Sequence, residues 1–298
     1  MFGLFFKRRG NRPVSQTRSV VRARTVRPWL EMLEARDCPA APQITNFQAT
    51  VLPGHQVRLT GMVVANQPAT VNVNFSGTVS GSTTPNATGY FSFTTGTASL
   101  GTVYAVGIDQ QQQSSNTAQS SVAVAPPTLT LNITYMTQRT VTLSGTVSSI
   151  DAGGRTVTFS GVATGSAVTT SNGMFSYTTQ ASALGNIQAV TTDLWGQTSS
   201  SVQVTVASND PSITNFAAVH GIGTVWTFQG RVIDESASGL TITFAGIPSL
   251  ANRTTTVGQD GWFYLTIELQ EGEEGVVTAE TIDWWGLESN EAQTTVFI

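Results

Sequence analysis

The chain is 298 residues long, 40% hydrophobic and only 11% charged, with a formal net charge of −4; this allows two or three domains with real cores, and the abundance of Thr, Ser, Val and Gly points to β-structure. A single cysteine, Cys38, excludes an intrachain disulfide, and a single lysine, Lys7, excludes Lys–Asn isopeptide cross-links between strands. Nine of the fourteen basic residues lie in the first 36 positions while residues 209–298 carry two basic against twelve acidic side chains, so the body of the chain has no basic face for nucleic acid.

Residues 1–41 form a basic N-terminal arm. The order "MFGLFF" then "KRRGNR" inverts that of a secretory signal, which needs a basic start followed by about 7 to 15 apolar residues. No run is long and apolar enough for a transmembrane helix. The arm is expected to be mostly disordered, with one short helix around "WLEMLEARDCPAAP". Pro28 suits a first helical turn, Glu31 its positive end and Arg36 its negative end, while Trp29, Met32 and Leu33 share a face. A helix of about ten residues is marginal in water and would fold on a partner. Leu30, Glu31, Leu33, Glu34, Arg36, Pro39 and Ala40 spell L-E-x-L-E-x-R-x-x-P-A, which resembles the N-terminal segment of planctomycete surface and exported proteins, where it precedes large extracellular β-domains. The resemblance implies a targeting segment, export machinery as the arm's partner, and an extracellular or cell-surface location; the plainer reading is a disordered basic tail. Cys38 lacks the small-residue context of a lipoprotein box, so no lipid anchor is expected.

From residue 42 onward one unit is repeated three times. "VRLTG", "VTLSG" and "WTFQG" end at Gly61, Gly145 and Gly230; "VNFSG", "VTFSG" and "ITFAG" end at Gly77, Gly161 and Gly246; "GYFSF", "GMFSY" and "GWFYL" begin at Gly89, Gly173 and Gly261; and an Asp recurs at 109, 193 and 283. Landmarks kept in order at one period of about 85 residues define a structural repeat. Within the first unit, period-two alternation predicts seven strands, near residues 43–51, 56–64, 69–76, 78–82, 90–95, 102–109 and 117–125. Asn172-Gly173 and Asp260-Gly261 read as hairpin turns of type I′. Phe91, Phe175 and Phe263 are expected to point inward, as are the small apolar pairs Val103/Ala105, Ile187/Ala189 and Val277/Ala279. Proline-bearing breaks at "AAP", "APP" and "SNDP" divide the chain into units at 42–126, 127–210 and 211–298 and favour an extended rod. The units resemble bacterial Ig-like domains, which implies an all-β fold of three tandem immunoglobulin-like sandwiches. The first departs by having "DQQQQ" where the others have "DLWG" and "DWWG", so its turn between the sixth and seventh strands is expected to differ.

Residues for chemistry are scarce. His55 and His220, the only histidines, fall near turns of separate units at non-equivalent positions and read as solvated loop residues. Neither a zinc pattern nor a calcium loop occurs; no catalytic, cofactor-binding or metal-ligating residue is assigned, and no enzyme activity or cofactor is expected. Trp195, Trp284 and Trp285 beside the Asp-x-x-Gly turns are the candidate ligand-binding residues, since exposed indoles stack on sugar rings; Trp226 and Trp262 lie on strands. The bland reading packs these indoles over the sandwich ends. Glu268, Glu271, Glu273 and Glu274 around "EGEEG" read as a solvated charge run. With no chemistry assigned, the resemblances imply a non-enzymatic secreted or cell-surface structural or adhesion protein, a spacer whose partners are other cell-envelope proteins or glycans. The alternative is a carbohydrate-binding module protein.

Overall fold

The computed structural model describes residues 40–297. The targeting pattern from Leu30 to Pro39, the short helix and Cys38 lie outside the described residues; Ala40 is exposed at their edge. Among the described residues no helix is long and apolar enough to cross a membrane.

The chain folds as three all-β sandwiches. The first contains β1 (Gln43–Leu52), β2 (Gln56–Val64), β3 (Asn72–Gly77), β4 (Gly81–Thr83), β5 (Tyr90–Gly96), β6 (Gly101–Ile108) and β7 (Ala118–Val122), arranged as sheets β1-β2-β5 and β4-β3-β6-β7. In the second, β8 (Thr128–Leu129), β9 (Asn132–Tyr135), β10 (Thr140–Ser148), β11 (Thr156–Gly161), β12 (Gly165–Val168), β13 (Met174–Gln180), β14 (Gly185–Thr191) and β15 (Val202–Val206) form a sheet β13-β10-β8, with β9 also on β10, facing β12-β11-β14-β15. The third has β16 (Ser212–His220), β17 (Val225–Ile233), β18 (Thr241–Ala245), β19 (Thr254–Thr256), β20 (Trp262–Glu268), β21 (Gly275–Thr281) and β22 (Ala292–Val296) as β16-β17-β20 and β19-β18-β21-β22. All pairing is antiparallel. Each unit is thus an immunoglobulin-like sandwich in which the fourth strand pairs with the third, or β12 with β11 in the second unit.

One set of the repeated glycines works with the repeated phenylalanines as a single device. Gly61 pairs across strands with Phe91, Gly145 with Phe175 and Gly230 with Phe263. The tip of the ring lies over its glycine: a Cβ at Gly230 would meet Phe263 Cζ at 2.5 Å. The ring then reaches across the sandwich to the opposite sheet, with centroids 6.0 Å apart for Phe75 and Phe91, 5.9 Å for Phe159 and Phe175, and 6.0 Å for Phe244 and Phe263. Val103, Ala105, Ile187, Ala189, Val277 and Ala279 lie beneath, fully buried, because the aromatic fills the space and leaves room only for small or β-branched side chains.

The first strand shows where the copies diverge. β1 and β16 each carry a bulge, between Thr45 and Gln48 and between Thr214 and Ala217, with Asn46 (φ 52°) and Asn215 (φ 53°) in the left-handed region. The second sandwich has Thr130 at that position. A β-branched residue resists positive φ where Asn tolerates it, and there the strand breaks into β8 and β9. A side-chain clamp is lost with it. Asn116 accepts the Ile44 N–H at 2.8 Å and donates to the Ile44 carbonyl at 3.1 Å, and Asn290 does the same for Ile213 at 2.8 and 3.2 Å. Ser200 stands at the equivalent place in the second sandwich. There the Tyr135 hydroxyl donates to Thr205 O and accepts the Ala207 N–H instead.

The turns at Gly173 and Gly261 depart from expectation. Both glycines have positive φ, 77° and 82°, but Asn172 and Asp260 do not, so neither turn is type I′. Nor are they hairpins: β12 and β13 lie in different sheets, as do β19 and β20. A chain crossing between sheets is under no need to match the twist of a paired ladder, which is what selects the I′ form.

Candidate functional site

The Asp-x-x-Gly turns lie at one end of each sandwich. Asp193 Oδ1 accepts the backbone N–H of Trp195 and Gln197 at 2.9 and 2.8 Å, and Asp283 Oδ1 accepts those of Trp285 and Leu287 at 2.8 and 2.7 Å. Gly196 and Gly286 close the turns at φ 79° and 89°. The first sandwich keeps this backbone path despite "DQQQQ". Gln112 takes the left-handed position at φ 62°, Asp109 Oδ1 accepts the Gln113 N–H at 2.7 Å, and the flanking bridge Ile108–Ser114 matches Thr192–Thr198 and Ile282–Glu288. What differs is the side chain presented, Gln111 in place of Trp195 and Trp285.

Those two indoles do not face open solvent. Trp195 is half-buried against the core of the first sandwich and lies 4.8 Å from the His55 ring, whose Nε2 donates to Leu194 O at 2.5 Å. Gly54 N–H donates to Asp151 Oδ1 at 2.9 Å and Gln197 Nε2 to Val124 O at 2.8 Å. The next junction repeats the plan. Trp285 packs against the core of the second sandwich with the Arg139 guanidinium 5.9 Å from its ring, Arg139 Nε donates to Trp284 O, and Gln138 N–H donates to Ser236 Oγ at 2.8 Å. His55 and Arg139 are equivalent residues, one period apart. His55 is therefore half-buried at a junction rather than solvated in a loop. Trp284 packs on the core of its own sandwich and donates from Nε1 to Ser236 O at 2.9 Å. One sequence signal pointed here: within this chain, Trp follows the turn Asp by two residues only in units preceded by another unit.

His220 is exposed, 4.7 Å from the Trp226 ring, and its Nε2 donates to Gly223 O. Trp226 itself is buried in the third core. In the acidic loop Glu268, Glu271 and Glu274 are exposed, but Glu273 is not the solvated charge its neighbours suggest. Its carboxylate accepts Ser249 N–H at 2.7 Å, Ser249 Oγ–H at 2.5 Å and Gln270 N–H at 3.0 Å. Burial alone would raise this carboxyl, and the hydrogen bonds from Ser249 and Gln270 outweigh it and hold it below the usual range. On the outer face of β20, Trp262 and Tyr264 stack with centroids 6.3 Å apart and an 18° interplanar angle, Trp262 half-buried and Tyr264 54% exposed.

No protein-family model matches the chain, and no curated protein does. Among solved structures it is similar to a biofilm-associated protein BSP domain (12% identity, 89% of this chain and 67% of that one, TM-score 0.26). It is also similar to the fibronectin(III)-like modules of Clostridium thermocellum CbhA (20% identity, 55% and 92%, TM-score 0.23). A third is Bacteroides ovatus SGBP-B of a mixed-linkage glucan utilization locus, in complex with a mixed-linkage heptasaccharide (14% identity, 86% and 70%, TM-score 0.19). Likenesses this loose carry no inference about this chain.

Proposed function

We propose that the protein is a non-enzymatic structural spacer of the cell surface or extracellular space, holding tandem sandwiches in a set order and orientation for assembly with other envelope components. The observation that carries this reading is the repeated junction, in which an indole from one sandwich seats against the preceding core and the residue at the 55/139 position binds the carbonyl beside it. Such contacts limit the swivel that a bare linker would allow. Small-angle scattering of the full chain tests it: replacing both Trp195 and Trp285 with Ala should broaden the distance distribution of a still-folded protein, and an unchanged profile refutes the spacer role. Fractionation of the native host tests location, since protein confined to the cytosol ends the surface reading. A reporter fused to residues 1–41 tests whether the arm suffices for export.

A second reading, glycan binding, is favoured by the stacked Trp262 and Tyr264, a flat aromatic surface on an open sheet face. Binding to a glycan array that Trp262→Ala and Tyr264→Ala abolish would support it; an array with no signal removes it.

A further inference from the structure

We propose that Asp234, Glu235 and Asp283 hold a divalent cation of the calcium class at the end of the third sandwich that meets the second. This goes beyond the spacer reading and does not depend on it. Asp234 and Glu235 lie in the loop after β17, and Asp283 lies in the turn after β21, 48 residues further on. The fold brings one carboxylate oxygen from each within 4.8 Å of the others. Calcium binds oxygen at about 2.3–2.6 Å, so ligands on opposite sides of one ion sit roughly 4.6–5.2 Å apart. The three oxygens fall within the span that one calcium ion can bridge.

The carboxylates are also incompletely used by the protein. Asp283 is only 7% exposed; its Oδ1 is occupied by Trp285 and Leu287 N–H, and its Oδ2 is buried with no partner. Asp234 repeats the pattern, with Oδ1 accepting the Ser236 N–H at 2.6 Å and Oδ2 buried and unpartnered. Buried polar atoms are normally satisfied, and an orphaned carboxylate oxygen beside two further carboxylates asks for a cation. Burial raises the Asp234 carboxyl above its usual range, the Ser236 N–H opposes this, and the charges of Glu235 and Asp283 raise it further. Three hard oxygen donors with no nitrogen or sulfur select calcium or magnesium over zinc or copper. A cleft of about 570 Å³, lined in part by Gly239, Thr241, Glu280 and Trp284, reaches Asp283.

The ligands are continuous with the junction. Glu235 accepts the Ser208 hydroxyl, the next residue Ser236 receives Gln138 N–H and Trp284 Nε1–H, and Asp283 sets the turn that carries Trp285. A bound cation would tie both loops together and stiffen the seat of Trp285.

The test is calorimetric titration of the full chain, freed of metal with chelator, with calcium chloride and separately with magnesium chloride. Terbium luminescence excited through the adjacent indoles of Trp284 and Trp285 gives a second readout. One calcium per chain is expected, with a dissociation constant of about 10⁻⁴–10⁻³ M as in extracellular modules, and terbium emission that calcium displaces. Asp234→Asn, which keeps the bond to Ser236, should abolish binding. Glu235→Gln alters an exposed residue and should weaken binding by about tenfold or more through loss of one ligand charge; folding of each variant is checked by circular dichroism. Glu271→Gln with Glu274→Gln should leave binding unchanged. No calcium heat and no terbium emission at concentrations up to about 10 mM, well above that affinity range, would overturn the proposal, as would binding that survives Asp234→Asn and Glu235→Gln or is lost with the loop glutamates.

Discussion

The glycine–phenylalanine pair makes a prediction that a list of buried residues would not. At Gly230 an added Cβ would sit 2.5 Å from Phe263 Cζ and 2.8 Å from Cε1, so the ring must retreat by about 0.9 Å to restore ordinary contact. It has nowhere to go, with Phe216 at 6.1 Å and Phe244 at 6.0 Å between centroids. Gly230→Ala should therefore cost about 1–3 kcal/mol by overpacking. Phe263→Ala removes a fully buried ring and should cost about 3–5 kcal/mol by leaving a cavity. In the double variant the new methyl enters the cavity that the ring vacated. The double variant should be no less stable than Phe263→Ala alone, so the coupling energy should equal or exceed the whole cost of Gly230→Ala. Calorimetric or urea unfolding of the full-length chain would follow the transition of the third sandwich, where 3–5 kcal/mol corresponds to roughly 12–40 °C for a domain of this size. If the two costs add, the ring is not seated on its glycine and the account of the core is wrong.

Further expectations concern single contacts. Trp285→Ala should lower the stability of the second sandwich, to which the residue does not belong, and Trp195→Ala that of the first, each by about 1 kcal/mol for a half-buried indole; hydrogen exchange of the core strands of those two sandwiches would show it. Asn116→Ala and Asn290→Ala each free two buried backbone groups of the first strand and should cost about 1–3 kcal/mol, while Ser200→Ala should be neutral in the same unfolding assay. Because the folded carboxyl of Glu273 is held below its unfolded value, its contribution is present above the usual carboxylate range and fades as pH falls through the folded pKa. Glu273→Gln should accordingly destabilise the third sandwich near neutral pH, with the difference from wild type closing in acid melts. Asp234 has the opposite sign: raised in the fold, it favours the native state below its unfolded pKa and loses that contribution as pH rises through the folded one. In chelator at neutral pH, Asp234→Asn should raise the melting temperature of the third sandwich.

Strand positions and inward-facing residues were readable in the sequence because both are encoded locally. Alternation of apolar and polar residues fixes which face of β2 or β17 is buried, and the fourfold landmarks fix the period. The predicted second strand, residues 56–64, matches β2 residue for residue. Contacts between distant segments were not readable. The glycine ending "WTFQG" and the phenylalanine in "GWFYL" each stood out, but nothing local says that one lies on the other. The reading of Asn172-Gly173 as a hairpin failed for a related reason, since the same dipeptide serves a turn within a sheet and a crossing between sheets. The indoles at 195 and 285 looked like ligand platforms until His55 and Arg139 of the preceding sandwich were placed against them. Asp234, Glu235 and Asp283 meet only because two loops converge at one end of a sandwich.

The three copies share a core and differ at their ends, and the differences fall where the ends meet. At the first junction an imidazole lies beside the indole and donates to the Leu194 carbonyl; at the second a guanidinium lies over it and donates to the Trp284 carbonyl. The backbone N–H one residue earlier finds a carboxylate at the first, Asp151, and a hydroxyl at the second, Ser236. A pair made from the wrong ends would set Arg139 against a turn carrying Gln111, with no ring face for the cation, or leave Asp151 without the Gly54 N–H that uses one of its oxygens. Order along the chain is thereby written into the junction chemistry as well as into covalent sequence. The Gly–Phe pair is the same in every copy, while the junction residues at 55 and 139, each set against a different sandwich, are His and Arg. The core needs only volume and pleat, which are common to all three copies, whereas each end must fit one particular neighbour.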